Sequence, residues 1–257
     1  MKRAIHLIAI YIGLQILFLL PVTIIIESRN IAQSSSFATM LLGMSMILSS
    51  VAMGWYLLKK KYVTVEDGNF DFPSLRLLPL LTVFTIALAI VLDWVGNVIQ
   101  LPDLMQDTFQ SMGKDFFGIV SICIIGPILE ELLFRGAIMG HMLKKYKNPK
   151  TAILLSALIF GIIHGNPAQI PFAILMGIAL GTVYYRTGSL VPCIFMHVLN
   201  NSLSTVLSNL YPDVSSSFDL MNPTIGTVVL IVSVIIVLTC AYILKRMYPK
   251  PMNVTEE

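Results

Sequence analysis

Long apolar runs constrain this chain more than any other feature: residues 4–26, 37–58, 77–99 and 116–143 are almost uninterrupted hydrophobic sequence. A helix that crosses the hydrocarbon core of a bilayer needs roughly 20 such residues, so these four read as membrane spans. The composition agrees, with 56% hydrophobic and only 12% charged residues among 257, where a soluble domain carries about 25% charged. The mean hydropathy is +0.82. The bilayer is the solvent of this chain.

The second half holds shorter apolar segments at residues 151–164, 170–185, 190–207 and 225–244. The fifth and sixth spans are short for a full crossing and fit a re-entrant pair as well. The expected fold is all-α, a polytopic helix bundle of about eight transmembrane helices. Residues 1–257 form a single integral membrane domain, because no polar stretch is long enough for a soluble one.

Basic residues orient such a bundle, since Lys and Arg in loops are retained on the cytoplasmic side. With eight spans and a cytoplasmic N-terminus, the inner segments hold Lys2, Arg3, Lys59, Lys60, Lys61, Arg76, Lys144, Lys145, Lys147, Lys150, Arg186, Lys245, Arg246 and Lys250. The outer segments hold only Arg29 and Lys114, and Arg135 lies within the fourth span. Both termini are therefore expected in the cytoplasm. The net charge of +3 belongs to this orientation signal and forms no stripe for nucleic acid. The first span follows Lys2 and Arg3 as a signal peptide would, but its apolar run is too long for one and no clear cleavage site follows, so it is read as a retained helix.

Several polar or reactive residues carry no functional assignment. Cys123, Cys193 and Cys240 share no metal or redox spacing and read as packing. Met40, Met44, Met46 and Met53 read the same way, and His6 and His141 lie near helix ends where titratable groups are cheap. Residues 65–74 make an acidic loop bearing Gly and Pro, and residues 100–115 carry a weak amphipathic pattern suited to an interface or an ordinary loop. Asp93 and Asn97 fit a support of the bundle, an entrance lining or a solvated helix end.

Ionisable groups inside spans are costly to insert and rank as candidate functional sites. Here they fall on three helices. The fourth span contains Glu130, Glu131 and Arg135. Adjacent helical residues point about 100° apart, so the two acids take different roles. Glu131 and Arg135 stand four apart with the acid first, the favourable order for an ion pair, and are assigned to structure. Glu130 has no local partner and is the better candidate for chemistry. The fifth span ends at His164, with Phe160 one turn earlier, and the seventh carries His197 and Asn201 on one face. Counting from the cytoplasmic helix ends at 1.5 Å per residue, Glu130 and His164 lie roughly 20 Å deep and His197 roughly 15 Å deep. The three converge on one level of the membrane.

A carboxylate with two imidazoles can activate water, bind a metal or relay protons. In a hydrolytic reading, Glu130 and His164 hold and deprotonate the water while His197 and Asn201 donate to the developing oxyanion. A Glu and two His also match the ligand count of hydrolytic zinc sites, with Glu130, His164 and His197 as ligands and a fourth position open for water. Zinc and metal-free water activation both stay open.

The three segments together resemble the signature of the CAAX protease and bacteriocin-processing family of intramembrane proteases. The matching motifs are Glu130-Glu131 followed by Arg135, Phe160 four before His164, and His197 four before Asn201, in the family's order. The resemblance covers roughly residues 116–204. It implies an eight-helix bundle around a catalytic site at Glu130, His164, His197 and Asn201, with Glu131, Arg135 and Phe160 in support.

Two classes of function follow. One is an intramembrane endopeptidase cutting a membrane-associated, lipid-modified or small secreted peptide. The other is a non-enzymatic membrane protein, a bacteriocin immunity factor or a regulator of a partner membrane protein. A transporter would show two related halves with interrupted helices, and no such repeat is present. The His-Glu-x-x-His, Gly-x-Ser-x-Gly and Gly-x-Gly-Asp patterns are absent as well, which leaves the Glu, His, His and Asn set as the candidate site. The expected partners are the lipid bilayer and a peptide or protein substrate within it, in the cell membrane of a bacterium. Substrate and oligomeric state are open.

Overall fold

The computed structural model describes residues 1–64 and 69–249. The first part of the acidic loop, residues 65–68, and the orienting Lys250 lie outside the described residues. Among the described residues every regular element is helical, in the order α1 (Lys2–Ser28), α2 (Ser36–Lys59), α3 (Leu77–Ile99), the short α4 (Gln106–Met112), α5 (Phe116–Lys145), α6 (Pro149–Ile162), α7 (Ile170–Thr187), α8 (Leu190–Leu210) and α9 (Pro223–Met247). A single 3-10 turn, Ser217–Leu220, precedes α9.

Seven of these helices are long and apolar enough to cross a membrane, namely α1, α2, α3, α5, α7, α8 and α9. The eighth apolar segment, α6, has only 14 residues, about 21 Å at 1.5 Å per residue. The expected bundle of about eight helices is therefore present, with the fifth segment short as its sequence implies. The sixth reaches 18 residues, enough by length and composition for a crossing. The chain is a multi-pass integral membrane protein.

Local sequence explains where the helices begin. Ser35, Asp115, Asn148, Ser189 and Asn222 each accept a hydrogen bond from a backbone N–H in the first turn of α2, α5, α6, α8 and α9. Such caps satisfy donors that have no partner inside the helix. Pro149 and Pro223 open α6 and α9, where a missing N–H costs nothing.

Helix α5 is the centre of the bundle and touches α1, α2, α6, α7 and α8. Leu133, Phe134, Ala137, Ile138 and Met139 are buried on it, against Leu180 and Val183 of α7 and Cys193 and Met196 of α8. Lipid tails are as apolar as these side chains, so close packing and interhelical hydrogen bonds hold the helices together. Gly43 of α2 makes one such approach: a Cβ there would lie 2.6 Å from the Gly118 nitrogen and the Phe117 carbonyl carbon of α5. Ser156 of α6 donates to the Phe134 carbonyl at 3.2 Å.

Two stretches of α5 depart from α-helical bonding. Residues Ser121–Ile125 and Leu132–Met139 are π-helical, and the N–H groups of Gly126 and Gly140 reach the carbonyls of Ser121 and Arg135 five residues back. Such widened turns are rare and concentrate at functional sites. Glu130 and Glu131 sit on the short α-helical piece between them.

At one end of the bundle, Asp93 of α3 accepts from the Ser217 backbone and from the Ser216 and Ser217 hydroxyls, tying the 3-10 turn to α3. Asp93 thus supports the bundle. Asn97 lines a cavity of about 390 Å³ between α3 and α9, with Trp94, Phe218 and Gly226. None of the candidate site residues lines it.

Candidate functional site

The motif residues of three helices meet around Phe160. This ring is buried on α6, with the Arg135 guanidinium carbon 4.5 Å from its centroid. The imidazoles of His164 and His197 stand edge-to-face with it at 4.9 Å and 5.7 Å, and Phe134 does so at 5.0 Å. A ring presents a negative face and a positive edge, so one aromatic side chain serves a cation over its face and packs both histidines.

Glu131 is fully buried and organises the polar side of this cluster. Its Oε1 accepts from Arg135 Nη1 at 2.8 Å and from His197 Nδ1 at 2.8 Å. The i, i+4 ion pair expected from spacing is present, but the carboxylate also grips the α8 histidine, a link that spacing within one helix could not reveal. Arg135 Nη2 donates onward to the Gly177 carbonyl of α7 at 3.3 Å. A buried ion pair gains from added hydrogen bonds that fill its remaining valences, and here those bonds join α5 to α7 and α8.

The outer nitrogen of His197 faces the other acid, with Nε2 3.6 Å from Glu130 Oε2. That separation is too long for a direct hydrogen bond. Glu130 keeps 21% of its side chain accessible while Glu131 keeps none, so the two adjacent acids differ in environment as their divergent directions imply.

His164 lies in the turn just after α6. Its Nδ1 donates to the Phe160 carbonyl at 2.7 Å, and Gly165 follows with φ +63°, the left-handed conformation that ends a helix. Because Nδ1 carries the donated hydrogen in both histidines, each Nε2 is the nitrogen left to act. His164 is half-buried and His197 is buried.

Asn201 is turned toward the first π-helical stretch, where its Nδ2 donates to the Ile122 carbonyl at 3.0 Å and its Oδ1 accepts from Asn200 at 3.3 Å. Close by, the Cys123 thiol donates to Thr205 at 3.3 Å. These bonds lock α8 to α5 one turn from His197. The bond to Ile122 uses one of the two N–H groups of the amide.

One residue beside the site was not apparent from sequence. Asn166, two positions after His164, is 1% exposed, donates to Asp103 Oδ1 at 2.8 Å and accepts from the Leu104 N–H at 3.1 Å. It fastens the loop after α3 onto the α6–α7 connection. The only hint was a polar residue following a span-ending histidine, a common event in loops.

Among the described residues, no three His, Cys, Asp or Glu side chains stand close enough to hold a metal ion together. Glu130, His164 and His197 do not form such a group as they stand.

Comparison with known proteins bears on this same region. The family model described as type II CAAX prenyl endopeptidase Rce1-like matches residues 113–203. The putative membrane peptidase YdiL of Bacillus subtilis is 35% identical over 89 residues, covering 35% of this chain and 36% of the relative. The membrane-embedded CAAX protease MroQ of Staphylococcus aureus is 32% identical over 97 residues, covering 36% and 39%. The UPF0177 protein YajF of Lactococcus lactis is 23% identical over 173 residues, covering 63% of this chain and 80% of that one. The chain thus matches little more than a third of the length of the first two relatives, and no solved structure matches it. The residues matched by the family model run from just before α5 to the middle of α8 and include every motif side chain gathered around Phe160, so over this segment the chain is similar to the CAAX prenyl endopeptidases.

Proposed function

We propose that the protein is an intramembrane endopeptidase that hydrolyses a peptide bond of a membrane-associated, lipid-modified or small secreted peptide. The observation that carries this reading is His197 between two carboxylates, Glu131 at Nδ1 and Glu130 at 3.6 Å from Nε2. A purely structural polar cluster would have no use for an accessible acid beside an already satisfied one.

In this mechanism a water binds between Glu130 and His164. Its two hydrogens point to the Glu130 carboxylate and to the Nε2 lone pair of His164, which is free because Nδ1 donates to Phe160. As the water attacks the scissile carbonyl, Glu130 takes its proton. His197, held at Nδ1 by Glu131, turns Nε2 toward the oxyanion as a donor, and the remaining Asn201 N–H assists. Collapse breaks the C–N bond, and the proton held by Glu130 passes to the leaving amine. Glu131 and Arg135 orient His197 without touching the substrate.

The test is cleavage of candidate membrane peptides by purified wild type, Glu130→Ala and His164→Ala at matched expression, with products read by mass spectrometry. A defined cut made by wild type and lost in both folded variants supports the reading. No cut by wild type, together with an unchanged cellular phenotype in both variants, overturns it in favour of a non-enzymatic immunity factor or regulator.

A further inference from the structure

His164 stands apart from Glu130 and His197 in lying on a turn and not on a helix. Helix α6 ends at Ile162, and the bonds that shape the turn reach back into it: the His164 N–H donates to the Gly161 carbonyl at 3.2 Å and the Gly165 N–H to the Ile162 carbonyl at 3.1 Å. The imidazole is bonded to the same helix through the Phe160 carbonyl. The next residue, Gly165, takes φ +63°, and a Cβ on it would meet nothing within 4 Å. A glycine in open space is a point about which a turn can swing, whereas a side chain that binds water for catalysis must be held to about 0.5 Å. The chain beyond Gly165 therefore needs an anchor outside α6.

Asn166 supplies it. This residue is 1% exposed and precedes Pro167, whose ring keeps the residue before it out of the helical region. Its carbonyl accepts from the N–H groups of Gln169 at 2.9 Å and Ile170 at 3.1 Å, where α7 begins. Its side chain grips the loop after α3, donating from Nδ2 to Asp103 Oδ1 at 2.8 Å and accepting at Oδ1 from the Leu104 N–H at 3.1 Å. Asp103 Oδ1 also accepts from the Met105 N–H at 2.9 Å, so the gripped loop is itself braced. The two ends of the amide face unlike partners, a carboxylate and an N–H, and a side chain with acceptors alone cannot serve both. Asn166 is part of none of the three motifs, and Asp103 and Leu104 lie before residues 113–203.

We propose that Asn166 is a positioning residue for His164: by clamping the chain just past Gly165 to Asp103 and Leu104, it holds the turn so that His164 Nε2 stays directed at the water beside Glu130. The inference rests on His164 binding that water as described above. It adds the loop after α3 to the support of the candidate site, with no contact between Asn166 and the substrate.

The experiment uses the full chain in lipid nanodiscs with isotope-labelled histidine, the NMR signals being assigned by replacing each of the four histidines in turn. Asn166→Asp sets a carboxylate against that of Asp103. It should shift the His164 signals and leave those of His197 in place, and for a peptide that wild type cleaves it should lower kcat about 10-fold to 100-fold with KM within about twofold of wild type. Asp103→Ala, at an exposed position, breaks the same clamp without altering a buried side chain and should also shift His164 alone. Adding Asp103→Asn to Asn166→Asp pairs an amide with a carboxylate again and should return the signals and kcat toward wild type. His164 signals that stay in place in Asn166→Asp and in Asp103→Ala overturn the inference and leave the peptidase reading intact. Signals of His164 and His197 that move together with a lowered thermal midpoint also overturn it, since they report a loosened bundle. If Asn166→Asp does not fold, Asp103→Ala decides alone. If wild type cleaves nothing, the peptidase reading fails and the histidine signals still decide whether Asn166 positions His164.

Discussion

His197 Nδ1 and Glu131 Oε1 are 2.8 Å apart, and the oxygen that receives the imidazole is the one that receives Arg135. One buried atom therefore couples the α5 ion pair to the orientation of the α8 histidine. Glu131 Oε2 and Arg135 Nε have no partner among the described residues, so the arrangement depends on that single shared oxygen. Replacing Glu131 by Leu leaves a buried guanidinium unpaired and should cost ~3–5 kcal/mol of stability. Combining it with Arg135→Met removes both charges and should recover much of that loss. The double variant should stay inactive, because His197 has still lost its acceptor. Denaturation in mixed micelles, read beside peptide cleavage, checks both halves. Recovery of activity in the double variant would contradict the orienting role.

Glu130 presents the opposite case. It keeps partial access and makes no short bond to His197, so Glu130→Gln should change stability by about 1 kcal/mol or less while abolishing cleavage. A thermal midpoint that drops as far as for Glu131→Leu would assign Glu130 to structure.

Phe160 packs both histidines, Phe134 and the Arg135 cation. Phe160→Ala should therefore cost ~3–5 kcal/mol and shift the NMR signals of His164 and His197 together. Phe160→Leu fills most of the volume and should recover stability better than activity, since no aliphatic side chain offers a ring face to the guanidinium. Equal recovery of the two would show that volume alone matters.

The crossing of α2 over α5 predicts a defect remote from the chemistry. Gly43→Ala introduces a Cβ 2.6 Å from the backbone at Phe117 and Gly118, which cannot yield as a flexible side chain would. Overpacking of this kind costs ~1–3 kcal/mol. It should lower the thermal midpoint, and it should lower activity by moving α5. A wild-type midpoint would show that the helices separate without penalty.

Metal dependence separates the two readings of the acid and its histidines. Without a three-residue ligand set among the described residues, cleavage is expected to survive treatment with a strong zinc chelator, and purified protein should carry well under one equivalent of zinc. Loss of activity on chelation and its return with zinc would require the histidines and Glu130 to move together.

Much of the bundle was legible because membrane insertion is decided by local sequence. Twenty apolar residues in a row span a bilayer whatever their neighbours do, and caps such as Ser35, Asp115 and Ser189 act within one turn. The short fifth segment was equally visible in its length. The candidate site was legible as a set of residues for a related reason, since Glu130, His164 and His197 are charges and imidazoles that an apolar helix has no cause to carry.

How those residues are joined depended on the tertiary structure. Spacing along α5 could pair Glu131 with Arg135, because both lie on one helix, but it could not connect Glu131 to His197 across 66 positions. Nor could it reveal that Phe160 serves both histidines, that Asn201 turns to the Ile122 carbonyl, or that the Ser49 hydroxyl of α2 donates to Gln15 of α1. Hydropathy and helical period specify which segments enter the membrane and which face each residue takes. Which faces meet is decided by where glycine and serine let two backbones approach, and in a medium that offers polar atoms no water, that choice also selects their hydrogen-bond partners.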